Sequence, residues 1–113
     1  MTIELVGKVR STLKSTDHPY MQGAWTPTFN EWNAIFANGD AEVIGTIPDD
    51  IDGVYVRTGE VPIHEPIGRY HPFDGDGQIH AISFKDGRAS YRNRFVRTKG
   101  FQAEQEAGKA LWA

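Results

Sequence analysis

The chain has 113 residues, a formal net charge of −3, four histidines and no cysteine. That length holds one small domain, and the mild acidity gives no global attraction to nucleic acid or to an anionic membrane. The absence of thiols excludes a disulfide framework, a thiolate metal site and a cysteine nucleophile.

Residues 1–16 are expected to form a short helix or a loosely held arm. Ile3, Leu5, Val6, Val9 and Leu13 suit a helix only weakly, because Gly7 and the Ser and Thr residues oppose it. This start lacks the basic lead and long apolar core of a secretory signal, and no apolar run is long enough to span a bilayer. The expectation is a soluble, cytoplasmic protein. Asp17-His18-Pro19-Tyr20 reads as extended or turn-like, since a residue before proline avoids the helical region. The stretch 23–38 is rich in aromatics (Trp25, Phe29, Trp32, Phe36) and poor in periodicity. It reads as a long loop, with a helical turn at 30–35.

Strand signals follow. Residues 42–47 are a predicted strand closed by Pro48, and Pro48 to Gly53 is a turn. Val54 to Thr58 is a second strand ended by Gly59, and residues 60–69, with two prolines and a glycine, form a loop. Gln78 to Phe84 is a third strand, Lys85-Asp86-Gly87-Arg88 a hairpin turn, and Ala89 to Thr98 a fourth strand. Residues 103–107 make one helical turn with Gly108 as its C-cap. The chain is thus expected to be all-β, with four strands in antiparallel succession. Several strands are apolar on both faces: in the third, Ile79 and Ala81 face one way, Ile82 and Phe84 the other. Such strands need cover on both sides, so the chain is expected to be a piece of something larger.

The stretch His71-Pro72-Phe73-Asp74-Gly75-Asp76-Gly77-Gln78-Ile79-His80 organises the rest. Two glycines alternate with two aspartates, and the expectation is a rigid turn with positive φ at Gly75 and Gly77. A calcium loop would need Asp or Asn at 78, Gly at 79 and Glu at 85; Gln78, Ile79 and Lys85 stand there. His64-Glu65 begins like a zinc-protease motif, but Gly68 takes the place of its second histidine. His18, His64, His71 and His80 match no local metal-ligand spacing and read as ordinary hydrogen-bonded or exposed histidines. Arg88, Arg92, Arg94, Arg97 and Lys99, interleaved with Tyr91 and Phe95, read as a solvated or ion-paired strand face rather than a nucleic-acid platform.

Several phrases together resemble the carotenoid cleavage oxygenases. They are His18-Pro19-Tyr20 with Gly23-Ala24-Trp25; Val43-Ile44-Gly45-x-Ile47-Pro48; Asp52-Gly53-Val54-Tyr55-x-Arg57; and Tyr70-His71-x-Phe73-Asp74-Gly75-Asp76-Gly77-x-Ile79-His80. Tyr91-x-Asn93-Arg94-Phe95-Val96-Arg97-Thr98 and Glu106-Ala107-Gly108-Lys109 continue the pattern. Arg57-Thr58-Gly59-Glu60-Val61-Pro62 departs from the family's usual loop, and Pro72 and Gln78 stand where Trp and Met are common.

The resemblance covers the chain from about Asp17 onward and implies the N-terminal part of a seven-bladed β-propeller. In that reading residues 1–16 are an irregular arm, and residues 17–113 hold the first blade and neighbouring strands. It implies a non-haem iron(II) dioxygenase that cleaves a conjugated carbon–carbon double bond of a carotenoid, apocarotenoid or stilbene-like substrate to two carbonyl products. It also implies that four histidine ligands of the Fe(II) lie beyond residue 113, that this fragment alone is inactive, and that the full-length protein has room for peripheral membrane contact. Phe73 is implied as a substrate-binding residue, and Asp74, Gly75, Asp76 and Gly77 as the structural turn behind it. The rival reading is a small non-catalytic β module that keeps the scaffold for binding.

Overall fold

The computed structural model describes residues 2–13, 29–37, 43–68, 71 and 73–112. Among these residues, five strands form one antiparallel sheet: β1 (Thr2–Lys8), β2 (Asn30–Ala37), β3 (Gly53–Val61), β4 (Asp76–Lys85) and β5 (Arg88–Phe95). Their order across the sheet is β1-β2-β5-β4-β3. A helix, α1 (Lys99–Ala107), follows the last strand.

Three strands stand near where the sequence places them. Val54–Thr58 lies inside β3, which runs on through Gly59 to Val61 because its backbone pairs with β4 from Gly53↔Phe84 to Val61↔Asp76. Asp86 at φ 53 and Gly87 at φ 71 build the expected hairpin turn, a pair of positive angles that matches the twist of the two strands. The strand expected up to Thr98 stops at Phe95, because Thr98 serves as the N-cap of α1 and accepts a hydrogen bond from the Phe101 amide at 3.0 Å. That cap extends the expected single helical turn back to Lys99, and Gly108 closes it in the left-handed region.

Three other expectations are corrected. Thr2–Lys8 is an edge strand, not a helix or an irregular arm: it pairs with β2 from Thr2↔Ile35 to Lys8↔Asn30, with a register shift between Leu5 and Gly7. Asn30–Ala37 is a strand, not a loop with a helical turn. Trp32, Ala34 and Phe36 alternate with Glu31, Asn33 and Ile35, and β5 supplies the ladder partner. The described part of 42–47 forms no strand, because Gly45 at φ 100 turns the chain out of the extended region and Ile44 is left fully exposed. His18 and the Trp25 region lie outside the described residues.

The core sits at one end of the sheet. Val61, Ile63, Phe95 and Phe101 form its buried centre, with Val9 and Phe29 packed against it. Ile63 is fully buried, and the rings of Phe95 and Phe101 stack at 5.7 Å. The sheet itself is thinly covered. At the β3 edge Val54, Tyr55 and Val56 are 56%, 58% and 58% exposed, so consecutive residues on both faces meet solvent.

Candidate functional site

The Asp-Gly-Asp-Gly turn enters β4 where the sheet meets the core. The Asp74 amide donates to the His71 carbonyl at 2.9 Å, and the His71 amide donates to Asp74 Oδ2 at 3.0 Å. The turn is therefore closed by its own backbone and by one carboxylate. The Val96 amide donates to the Gly77 carbonyl at 2.9 Å, and the Ile63 amide donates to Asp76 Oδ2 at 3.4 Å. Those bonds tie the turn to the end of β5 and to the segment after β3. Burial pushes the Asp76 carboxyl above its ordinary range, against the hydrogen bond from Ile63, and the nearby Glu104 pushes the same way.

The glycines serve a different purpose from the one expected. Neither Gly75 nor Gly77 has a positive φ. A Cβ on Gly75 would stand 2.9 Å from the Val61 amide nitrogen and 3.1 Å from the Glu60 carbonyl carbon. The turn lies so close on the end of β3 that a side chain has no room. At Gly77 the nearest atom is a Val96 methyl at 3.4 Å, which is far more forgiving.

Phe73 stands on this turn 76% exposed. Its amide donates to His71 Nδ1 at 3.1 Å, and the two rings meet edge to face with centroids 5.0 Å apart. Behind the turn lies a cleft of about 230 Å³ lined by His64, Asp74, Asp76, Phe101, Glu104 and Trp112. Its titratable groups are engaged in holding the fold. Glu104 Oε1 accepts from the amides of Leu111 and Trp112 at 2.9 and 3.3 Å. His64 is buried, with Nδ1 3.0 Å from Thr12 Oγ1 and Nε2 3.2 Å from Gln105 Nε2. Burial lowers its pKa; Glu104 opposes that shift and Arg10 reinforces it.

One face of the sheet is apolar around a polar pair. The register sets Phe36 beside Ala89, Phe84 beside Ala89, and Ile82 beside Tyr91. With Val43 these residues line an open hollow of about 370 Å³. At its rim His80 Nδ1 lies 2.6 Å from the Tyr91 hydroxyl. Burial lowers the His80 pKa, with Arg57 adding to the effect, and burial raises that of Tyr91. Among the described residues, no three His, Cys, Asp or Glu side chains gather closely enough to hold a metal ion.

In the basic run Arg94 and Arg97 are held by partners, whereas Arg88, Arg92 and Lys99 are exposed. Arg94 donates to Asn33 Oδ1 at 2.8 Å, and Arg97 meets the buried Glu31 at 2.6 Å. Sequence reasoning missed that Glu31 is the acceptor, and missed fully buried Asn93. Asn93 Oδ1 accepts from the Trp32 amide at 2.6 Å and its Nδ2 donates to the Asn30 carbonyl at 2.8 Å, so it joins β5 to β2 beyond the last ladder pair. The available signal was a carboxylate and an amide, each interrupting an aromatic-rich strand.

A profile of the retinal pigment epithelial membrane protein family matches residues 26–113. The carotenoid 9,10(9′,10′)-cleavage dioxygenase 1 of Pisum sativum is 41% identical over 91 residues, which are 80% of this chain and 16% of that protein. The resveratrol cleavage oxygenase 1 of Aspergillus fumigatus is 40% identical over 96 residues, covering 84% of this chain and 18% of that one. Among solved structures, the lignostilbene dioxygenase of Pseudomonas brassicacearum superposes with a TM-score of 0.71 at 30% identity, over 84% of this chain and 19% of its own. The chain therefore spans less than a fifth of each of these relatives. An all-β antiparallel sheet, the Phe-Asp-Gly-Asp-Gly turn and these matches have one reading: the chain belongs to the retinal pigment epithelial membrane protein family, the carotenoid cleavage oxygenases.

Proposed function

We propose that this chain is the N-terminal portion of a non-haem iron(II) dioxygenase. The full-length protein adds dioxygen across a conjugated carbon–carbon double bond of a carotenoid, apocarotenoid or stilbene-like substrate. Both oxygen atoms leave in the two carbonyl products, so the reaction balances without a further reductant. The observation that carries this reading is the collinear match from residue 26 to 113 with enzymes named for cleaving such alkenes.

The described residues do not fit the iron. The ring nitrogens of His64 are both engaged, and Nδ1 of His71 and of His80 each has a partner. No ligand set forms among them. The proposed ligands are histidines downstream, and no step through the metal is assigned to this segment.

This segment's proposed contribution is scaffold and substrate lining. The bare faces and edges of the sheet suit a blade of a seven-bladed propeller, where neighbouring strands cover Val54, Tyr55 and Val56. Phe73 is the proposed substrate-lining residue: it is exposed, aromatic, and carried on a turn that its neighbours hold rigid. No helix among the described residues is long and apolar enough to cross a membrane, and peripheral contact of the full-length protein with a lipid surface is part of the proposal because its substrates are apolar.

The test is a panel assay. Iron-loaded full-length protein is mixed in air with a carotenoid, an apocarotenoid and a hydroxylated stilbene, and the products are separated and weighed. Two carbonyl fragments that sum to one parent alkene are expected from at least one class. Geometric isomers without fragments, or no change with any of them, overturn the reading.

A further inference from the structure

We propose that His71 is a positioning residue for Phe73, and that it acts through an unprotonated Nδ1. This rests on the assignment of Phe73 to the alkene site. Within this segment Phe73 is 76% exposed, so the segment's own core does not hold its ring. Its restraints are local. The Phe73 amide donates to His71 Nδ1 at 3.1 Å, and the imidazole meets the phenyl at 66° with centroids 5.0 Å apart. The backbone that carries the imidazole is held in turn, because the His71 amide donates to Asp74 Oδ2 and the His71 carbonyl accepts from the Asp74 amide.

The chemistry follows from the acceptor. A neutral imidazole carries one proton, so an Nδ1 that accepts from an amide puts that proton on Nε2. The acceptor nitrogen then fixes the backbone of Phe73, and that backbone sets where the phenyl stands for a flat, conjugated ligand. A free exposed phenyl has to be ordered by each substrate that arrives, and a pre-set one does not. The expected loss on removing the acceptor is that of one hydrogen bond, about a fivefold rise in KM.

Two variants of the full-length enzyme separate positioning from bulk. His71→Phe keeps a ring but removes the acceptor. His71→Asn removes the ring but returns an acceptor oxygen at the same distance from the backbone. We expect KM for the alkene to rise about fivefold in H71F, with kcat and bound iron within about twofold of wild type, and KM to stay within about twofold in H71N. A wild-type KM in H71F, or an equal rise in both variants, overturns the proposal.

A readout independent of turnover is the long-range proton–nitrogen spectrum of protein labelled at histidine and phenylalanine. It should show a bare Nδ1 on His71, and the Phe73 amide should exchange with solvent faster in H71F but not in H71N. A protonated Nδ1 overturns the positioning role whatever the substrate. A bare Nδ1 with the faster amide exchange confined to H71F supports that role even in a wild type that cleaves no alkene, a result that sinks only the dioxygenase reading.

Discussion

Replacing Gly75 by alanine adds one methyl group where the backbone of a neighbouring strand stands close. The new Cβ would lie 2.9 Å from the Val61 nitrogen, 3.1 Å from the Glu60 carbonyl carbon and 3.1 Å from the Glu60 Cβ. Two of those atoms are backbone of β3, whose ladder with β4 runs to the Val61↔Asp76 pair beside them. The turn has to lift off the strand end. Overpacking of that kind costs about 1–3 kcal/mol. Lifting also stretches the bond from the Ile63 amide to Asp76 Oδ2, worth about 1 kcal/mol more. Gly77→Ala is the control, because its Cβ meets only a Val96 side chain at 3.4 Å and is expected to cost under about 1 kcal/mol. The assay is the denaturant midpoint of both variants in the full-length protein, with hydrogen exchange at Glu60 and Val61 to localise the damage. If positive φ were the reason for these glycines, both variants would suffer alike. Equal losses, or an unchanged Gly75→Ala, would refute the close-approach argument.

Other perturbations have defined signs. Arg97 first, and then the Phe95 amide, hold the Glu31 carboxyl below its ordinary range against the opposing effect of burial. The folded state thus favours the ionised form. Its stabilisation is complete above the ordinary carboxylate pKa and is lost as pH falls through the depressed folded value, so Glu31→Gln should flatten the acid limb of a stability–pH curve. An unaltered acid limb would show that the Glu31–Arg97 pair contributes nothing. His64 also titrates lower in the folded state, because burial opposes its charge. Stability should therefore fall as pH drops through the ordinary imidazole value toward the folded one, and His64→Gln should lack that decline; a variant that keeps it would refute the assignment to His64. Asn93→Leu removes both bonds that bridge β5 to β2, leaving the Trp32 amide and Asn30 carbonyl unpaired. It should cost about 1–3 kcal/mol and speed exchange of the β2 amides. Full protection of those amides would show that the bridge is dispensable.

What was legible in the sequence was local. The Asp86-Gly87 hairpin brings β4 and β5 together over two residues, and their patterns read correctly because each strand's partner is adjacent in the chain. β1 and β2 were not legible for the opposite reason. The ladder that makes Asn30–Ala37 a strand comes from residues 88–92, more than fifty positions away, and nothing in the aromatic stretch itself announces it. Thr2–Lys8 becomes a strand only once β2 offers it an edge. Val43 to Ile47 failed in the other direction: its β-branched residues suit a strand, but Gly45 breaks the line and no strand pairs with it among the described residues. At the turn, residue types showed that Gly75 was needed, but not that the reason is the nearness of Val61. The family resemblance was legible because it rests on ordered phrases rather than on any single element.

Isotope labelling follows both oxygen atoms from dioxygen to product. Full-length, iron-loaded protein is given its alkene substrate under ¹⁸O₂, with exchange into water measured in parallel on the products alone. Each of the two carbonyl products is expected to carry label from dioxygen. Unlabelled products, label confined to one of the two, or an intact alkene changed only in geometry would contradict it.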